Sequence, residues 1–200
     1  MATRLLSSQP ENVLLLTLDS DDGFPRLELE ILAALAREIA RLAHTPELQG
    51  VVITGSERAF AAGAEISELA KLTPAEAFEF SRFGQSVMRG IERTRRPVVA
   101  AIRGYCMGGG LDLALACHTR IASPDAVFAH PGGALGIITG WGGTQRLPRL
   151  IGRARALELF LTGRRIEAHQ ALQCGLITAI EAAGDVVPGA IRAAKQLAGQ

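Results

Sequence analysis

Short apolar runs alternate with segments of helical period along most of this chain. Residues 12–19 and 50–54 are Leu-rich and β-branched runs bounded by turn residues, and these features predict two strands. Between them, residues 27–43 repeat apolar side chains at helical spacing, which predicts an amphipathic helix. Strands that alternate with helices at this density predict an α/β protein with largely parallel, buried strands.

The same alternation continues to the end of the sequence. Thr73, Pro74 and Glu76 form the pattern of a capping box with proline in the first turn, so a helix is predicted over residues 73–95. A buried strand at 97–103 and an apolar helix at 111–117 follow, separated by a Gly-rich turn. Further strands are predicted at 118–122 and 127–128, and further helices at 142–150, 154–162, 168–174 and 187–198. No linker interrupts the pattern, so we expect one domain over residues 1–200.

Charge, cysteine and hydropathy patterns exclude several classes of protein. The chain has 21 Lys and Arg against 20 Asp and Glu, a net charge of +1, which argues against electrostatic binding of nucleic acid. Its three cysteines form no C-x-x-C pair and lie near no histidine at ligand spacing, so neither a disulfide framework nor a metal site is predicted. No apolar run reaches the roughly 18 residues of a membrane span. We expect a cytoplasmic protein without a membrane segment.

Two clusters of small residues can expose backbone amides. Residues 61–64 are only Ala and Gly, so no bulky side chain screens the backbone there. Residues 108–110 are a glycine triplet between a predicted strand and a predicted helix, where unpaired N–H groups and the positive end of the helix dipole suit an anion. Together they have the layout of an oxyanion hole. Glycines that serve only tight turns and close helix packing are the alternative.

Common nucleotide and nucleophile motifs do not account for these glycines. The sequence contains no G-x-x-x-x-G-K-[ST], and Leu113 stands where a G-x-G-x-x-G motif starting at Gly108 would need its last small residue. A G-x-S-x-G nucleophile elbow is also missing from the sequence. Backbone donation to an oxygen anion therefore stays the functional interpretation.

A third Gly-rich segment, GIITGWGGTQRL at residues 136–147, follows the first two in order. The set AFAAGAE, VVAAIRGYCMGGGLDLALAC and GWGGTQRLPRLIG, with LTGRRIEAHQALQCGLI after it, resembles the crotonase (enoyl-CoA hydratase/isomerase) family over residues 12–180. The resemblance implies a superhelix of β-β-α repeats that forms a trimer or a dimer of trimers. It also implies an acyl-coenzyme A thioester substrate, with coenzyme A present only as part of that substrate and no permanently bound cofactor.

The resemblance also assigns roles by position. Ala64, after the glycine of AAGAE, and Gly109, the middle glycine of the triplet, match the residues that supply the two oxyanion N–H groups in the family. Residues 59–62 match the segment that holds the adenine end of coenzyme A through its backbone. The positions expected to contact substrate are Ala59, Phe60, Ala62, Met107, Gly108, His130, Thr139 and Trp141, the last as a wall of the acyl pocket.

The chain departs from the family at both acid/base positions. Hydratases of the family carry two glutamates, and this chain has Asp112 at the first and Gly132 at the second. Because a general acid or base contributes roughly 10²–10⁴-fold, the loss of one predicts weak hydration unless His130 or Thr139 substitutes. Asp112 also has a structural alternative, as an acidic residue stabilised near a helix N-terminus.

The chain also differs from the family in its length. Relatives continue beyond the equivalent of Gln200 with helices that close the substrate site and build subunit contacts, so these C-terminal helices are expected to be largely missing here. The leading prediction is an acyl-CoA-processing enzyme of the lyase type that stabilises a thioester enolate. The alternatives are an isomerase, decarboxylase or thioester hydrolase on the same fold, or a non-catalytic acyl-CoA-binding subunit.

Overall fold

A computed structural model describes residues 2–199 of the chain. Its ten strands are β1 (Thr3–Ser8), β2 (Val13–Ser20), β3 (Gly50–Thr54), β4 (Ala59–Ala61), β5 (Val98–Ile102), β6 (Tyr105–Met107), β7 (Thr119–Ala122), β8 (Val127–Ala129), β9 (Ile166–Glu167) and β10 (Ala179–Ile180). Its eight α-helices are α1 (Leu29–Arg41), α2 (Ile66–Leu69), α3 (Pro74–Arg93), α4 (Gly109–Ala116), α5 (Gly143–Ile151), α6 (Arg153–Thr162), α7 (Ala168–Gln173) and α8 (Val186–Ala198). These counts hold for the described residues.

The larger sheet has six strands in the order β1-β2-β3-β5-β7-β10. All of its neighbouring pairs are parallel except β1 and β2, which are antiparallel. The parallel sheet predicted from the alternating pattern is thus confirmed. Strand β1 was not predicted, because its residues are mostly exposed and carry little of the apolar pattern that marks a buried strand.

Both faces of this sheet are buried. Alternate side chains of a strand point to opposite faces, so Val51 and Ile53 of β3 pack in the core beneath α1, α3 and α4, while Val52 lies on the other face. Helix α8 covers that second face through Val186 and Ala190. Continuous apolar runs, rather than strict alternation, are expected of strands buried in this way.

The smaller sheet, in the order β4-β6-β8-β9, positions the candidate site. Strands β4, β6 and β8 are parallel neighbours of three residues each, and β9 is antiparallel to β8. Residues 105–107 were predicted to lie in a Gly-rich turn, and no strand was predicted at residues 59–61. Both form strands, because β4, β6 and β8 satisfy one another's backbone groups although each is too short to show a sequence period.

The observed helix ends agree closely with those predicted from the sequence. The Thr73–Glu76 capping box is present, with the Glu76 carboxylate accepting the Thr73 N–H at 2.8 Å. Helix α4 begins two residues earlier than predicted, within the glycine triplet, which places Gly109 at its first position. No helix among residues 2–199 is long and apolar enough to cross a membrane.

Candidate active site

A cavity of ≈ 600 Å³ opens at the carboxyl ends of β4, β6 and β8. Since these strands are parallel neighbours, the segments that follow them meet at one edge of the sheet. That edge brings together predicted site residues that are far apart in the sequence. On the cavity wall lie Ala62, Ala64, Gly108, Gly109, His130, Gly132, Thr139 and Trp141.

Two backbone amides on this wall, those of Ala64 and Gly109, point away from the turns that carry them. The Gly63 carbonyl accepts the Leu27 N–H at 2.9 Å, and in a trans peptide the next N–H, that of Ala64, points the opposite way. The Gly108 carbonyl accepts the Asp112 N–H at 3.0 Å, so the Gly109 N–H points outward from the start of α4. Within residues 2–199, neither amide has a hydrogen-bond acceptor.

Glycine is required at two positions beside these amides. Gly63 has φ +97°, and a Cβ there would lie 3.2 Å from the Gly109 nitrogen, so the two turns are in close contact. Gly108 has φ +51° and ψ −117°, a combination that residues with a Cβ avoid. Both glycines therefore serve tight turns and close packing, as the alternative predicted, and the same turns leave the two amides without an acceptor in the described residues.

Asp112 lies directly behind the cavity wall. Its side chain is 0% exposed, its Oδ2 accepts the Thr139 hydroxyl, and the same oxygen accepts the Trp141 N–H at 3.1 Å. Its Oδ1 is buried and has no hydrogen-bond partner in the described part of the chain. Burial raises the pKa of Asp112 to about 6, although the hydrogen bonds from Thr139 and Trp141 act to lower it.

His130 faces Asp112 across the end of β8. Its ring is 3% exposed, packs against the Phe160 ring at 5.0 Å between centroids, and has Nε2 3.8 Å from Asp112 Oδ1. Neither ring nitrogen has a hydrogen-bond partner among residues 2–199. Burial lowers the pKa of His130 to about 4, so at neutral pH the pair consists of a neutral imidazole and an ionised carboxylate.

The sequence of the chain matches the model of one protein family. The family model described as enoyl-CoA hydratase/isomerase matches residues 8–200. The chain belongs to the enoyl-CoA hydratase/isomerase family. It is 41% identical over 187 residues to YngF of Bacillus subtilis, which is named as an enoyl-CoA hydratase/isomerase, with 93% of this chain and 72% of that protein covered.

Solved structures with similar coordinates show that this chain has the crotonase fold. The enoyl-CoA hydratase from Bacillus anthracis matches with a TM-score of 0.91 and 34% identity, covering 100% of this chain and 78% of that one. DspI from Pseudomonas aeruginosa matches with a TM-score of 0.92 and 32% identity, covering 98% and 80%. The α/β crotonase fold expected from the motifs is confirmed.

The turn around Gly132, where the resemblance leads us to expect the second glutamate of the hydratases, is tightly packed. Gly132 lies in the 3-10 turn Pro131–Leu135, and a Cβ on it would lie 2.7 Å from the Ile137 carbonyl oxygen. Contacts below 3.0 Å are not tolerated without movement of the neighbouring chain. The turn is therefore shaped for glycine, and no carboxylate projects into the cavity from this position.

Aromatic residues that the sequence did not single out complete the cavity. Phe80 of α3 packs on Trp141 at 5.4 Å between ring centroids, and Phe160 of α6 covers His130. Trp141 is 4% exposed and lies against Gly84 and Gly109, where a Cβ would lie within 2.3 Å of its ring. Phe80 lies on the apolar face of a helix, and this was the only sequence signal for its role.

Four predicted residues do not line the cavity. Ala59 and Phe60 are fully buried in β4, Met107 ends β6, and Asp112 lies behind Thr139 and Trp141. The side chains of Ala59 and Phe60 belong to the core, so only their backbone could meet a ligand. Within residues 2–199, no group of three or more His, Cys, Asp or Glu side chains is arranged to hold a metal ion.

Proposed function

We propose that this site binds an acyl-CoA thioester and stabilises its enolate, with the thioester oxygen between the N–H groups of Ala64 and Gly109. The observation that supports the proposal is the meeting of these two unpartnered amides on one wall of a largely apolar cavity. Preorganised donors of this kind are worth roughly 3 kcal/mol each to an oxyanion. Helix α4 adds the positive end of its dipole at Gly109.

A proton must also leave or reach the carbon next to the thioester. Asp112 is the carboxylate that matches the family's acid/base position, and a pKa of about 6 keeps it ionised near pH 7 yet able to take a proton. Gly132 offers no second carboxylate. This favours double-bond isomerisation: one base takes the C2 proton of a 3-enoyl thioester, the enolate forms, and the proton returns at C4.

Hydration by a lyase is the second candidate, because the relatives of the chain are named enoyl-CoA hydratases. It needs a group that holds water in place of the missing glutamate. A trimer or dimer of trimers remains a proposal that rests on the resemblance, and a cytoplasmic location remains one that rests on the cysteine and hydropathy patterns. Coenzyme A enters as part of the substrate.

Hydrogen exchange tests enolate formation directly. Butyryl-CoA in D₂O has no double bond to move, so deuterium at C2 reports only proton removal and enolate stabilisation. We expect calorimetric binding of butyryl-CoA and enzyme-dependent deuterium uptake at C2, measured by mass spectrometry. Absence of butyryl-CoA binding would contradict the proposal. Binding without exchange, with Asp112→Ala equally inert, would establish the non-catalytic binding subunit instead.

Product analysis separates the two candidate reactions. If one acid/base serves the site, 3-hexenoyl-CoA should convert to the 2-enoyl thioester faster than crotonyl-CoA is hydrated. Faster hydration of crotonyl-CoA would reverse the preference.

A further inference from the structure

We infer that Arg146 is a positioning residue: together with its ion-pair partner Glu92, it holds residues 139–141, the wall segment, in place between the cavity and Asp112. The inference rests on the proposed enolate chemistry, because that chemistry uses both the cavity wall and the Asp112 carboxylate. In the sequence, Arg146 is one of several arginines in the last third of the chain, and no motif distinguishes it from a solvated surface residue.

The wall segment lines the cavity on one side and binds Asp112 on the other. Thr139 and Trp141 both line the cavity, and both donate to Asp112 Oδ2, the first from its hydroxyl and the second from its backbone N–H. The Trp141 ring also lies against Gly109, where a Cβ would overlap the ring. A displacement of the wall segment would therefore change the donors to the carboxylate and the surface beside the proposed oxyanion amide together.

Arg146 binds the last carbonyl of the wall segment. Its Nη1 donates to the Trp141 carbonyl at 3.1 Å, so Trp141 is bound at its N–H by Asp112 and at its carbonyl by Arg146. The guanidinium lies close to Gly142, which has φ +107°, and a Cβ on that residue would overlap Nη1. The turn at Gly142 therefore leaves the space that the guanidinium occupies.

Glu92 fixes the guanidinium to α3. Arg146 Nη2 donates to Glu92 Oε2 at 2.8 Å, and this pair joins α5 to α3. The Arg146 side chain is 12% exposed and that of Glu92 is 49% exposed. An ion pair with a half-exposed partner adds little to stability, but the planar guanidinium can bind a carbonyl and a carboxylate at the same time in a fixed geometry. The pair is therefore suited to setting the position of what it binds.

Helix α3 also holds the neighbouring carbonyl of the wall segment. Ser81 Oγ and Gln85 Nε2 donate to the Gly140 carbonyl at 2.9 Å and 2.8 Å. Two consecutive carbonyls are thus bound to α3, one directly and one through Arg146. Because the two neutral donors remain when Arg146 is changed, we expect a partial displacement of the wall segment rather than its release.

The charge of Arg146 provides a second effect that a merely structural residue would not have. The ionisable side chains that interact with Asp112 in the described residues are His130 after β8, Cys106 of β6 and Arg146 of α5. Burial lowers the pKa of His130 to about 4 and raises the pKa of the Cys106 thiol well above its ordinary value, so both are neutral near pH 7. Arg146 stays charged and acts to lower the pKa of Asp112.

Two variants at position 146 separate geometry from charge. We expect Arg146→Met to lower the plateau rate of C2 deuterium exchange of butyryl-CoA by roughly 10–10²-fold and to move the acid limb to higher pH, because the pKa of Asp112 rises. Arg146→Lys keeps the charge but lacks the planar fork, so it should keep the acid limb and still lower the plateau by roughly fivefold. Arg149→Met, at an exposed position of α5, is the control and should keep the wild-type profile. A wild-type plateau in either Arg146 variant would overturn the inference.

Fluorescence tests the position of the wall segment without any substrate. Trp141 is the only tryptophan in the chain and is 4% exposed, so we expect its emission to shift to longer wavelength in Arg146→Met and in Glu92→Ala, but not in Arg149→Met. Glu92 is half-exposed on a helix, so Glu92→Ala decides the matter if circular dichroism shows that Arg146→Met does not fold. Wild-type emission in Glu92→Ala would overturn the inference. Shifted emission in these variants, with no exchange in the wild-type protein, would contradict the proposed function and support the positioning of the wall segment by Arg146.

Discussion

The two walls of the cavity are specified in different ways. The amide wall at Ala64 and Gly109 consists of backbone groups, and its chemistry depends on turns that only small residues allow. The acid/base wall consists of the side chains of His130 and Thr139, with Asp112 directly behind them, so one substitution changes what it can do. We therefore expect a single substitution to alter the acid/base wall more readily than the amide wall.

Removal of one amide should have a larger effect than a change at Gly132 or Thr139. Ala64→Pro lacks the N–H, and we expect C2 exchange of butyryl-CoA to fall by roughly 10²–10³-fold, the effect of losing one oxyanion donor. Ala64→Gly keeps the N–H and should stay within about fivefold of wild type by the same reasoning. Circular dichroism and calorimetric binding check that both variants fold.

An equal loss in Ala64→Gly would show that the methyl group, rather than the amide, matters at this position. The amide wall would then depend on side chains as much as the acid/base wall does, and the contrast between them would fail.

A glutamate at position 132, where the resemblance leads us to expect one in hydratases, should not increase hydration. Gly132→Glu introduces a Cβ that would lie 2.7 Å from the Ile137 carbonyl, so we expect a loss of about 1–3 kcal/mol in the free energy of unfolding. Hydration of crotonyl-CoA should remain at the wild-type level. Urea unfolding and an absorbance assay for hydration measure the two effects.

Gly90→Ala is the control for that variant. Gly90 lies in α3, where a Cβ meets nothing within 4 Å, so alanine should stabilise the helix by about 0.5–1 kcal/mol. A stable Gly132→Glu variant with much faster hydration would mean that the turn adapts readily and that the acid/base wall differs from the hydratases by this side chain alone.

The sequence predicted the amide wall better than the acid/base wall, for a physical reason. Gly63 and Gly108 are set by local backbone conformation, so their motifs are visible in the sequence. The 3.8 Å approach of His130 to Asp112 arises from the pairing of β6 with β8, which no local pattern reveals. Strand β6 was mistaken for part of a turn and strand β4 was not predicted, since three residues carry no period.

The smallest expected effect concerns the hydroxyl that holds Asp112. Thr139 donates to Oδ2 and acts to lower the pKa of Asp112, so Thr139→Val should raise that pKa further above its ordinary value. The proposed chemistry needs the ionised carboxylate, which exists above its pKa. The acid limb of the pH profile for C2 exchange should therefore move to higher pH, with a loss of up to about tenfold near pH 6 and less than about threefold near pH 8.5. Thr139→Ser keeps the hydroxyl and should keep the wild-type profile. A uniform loss at all pH values in Thr139→Val would instead mean that Thr139 contacts the substrate, so that its main role would not be to hold Asp112.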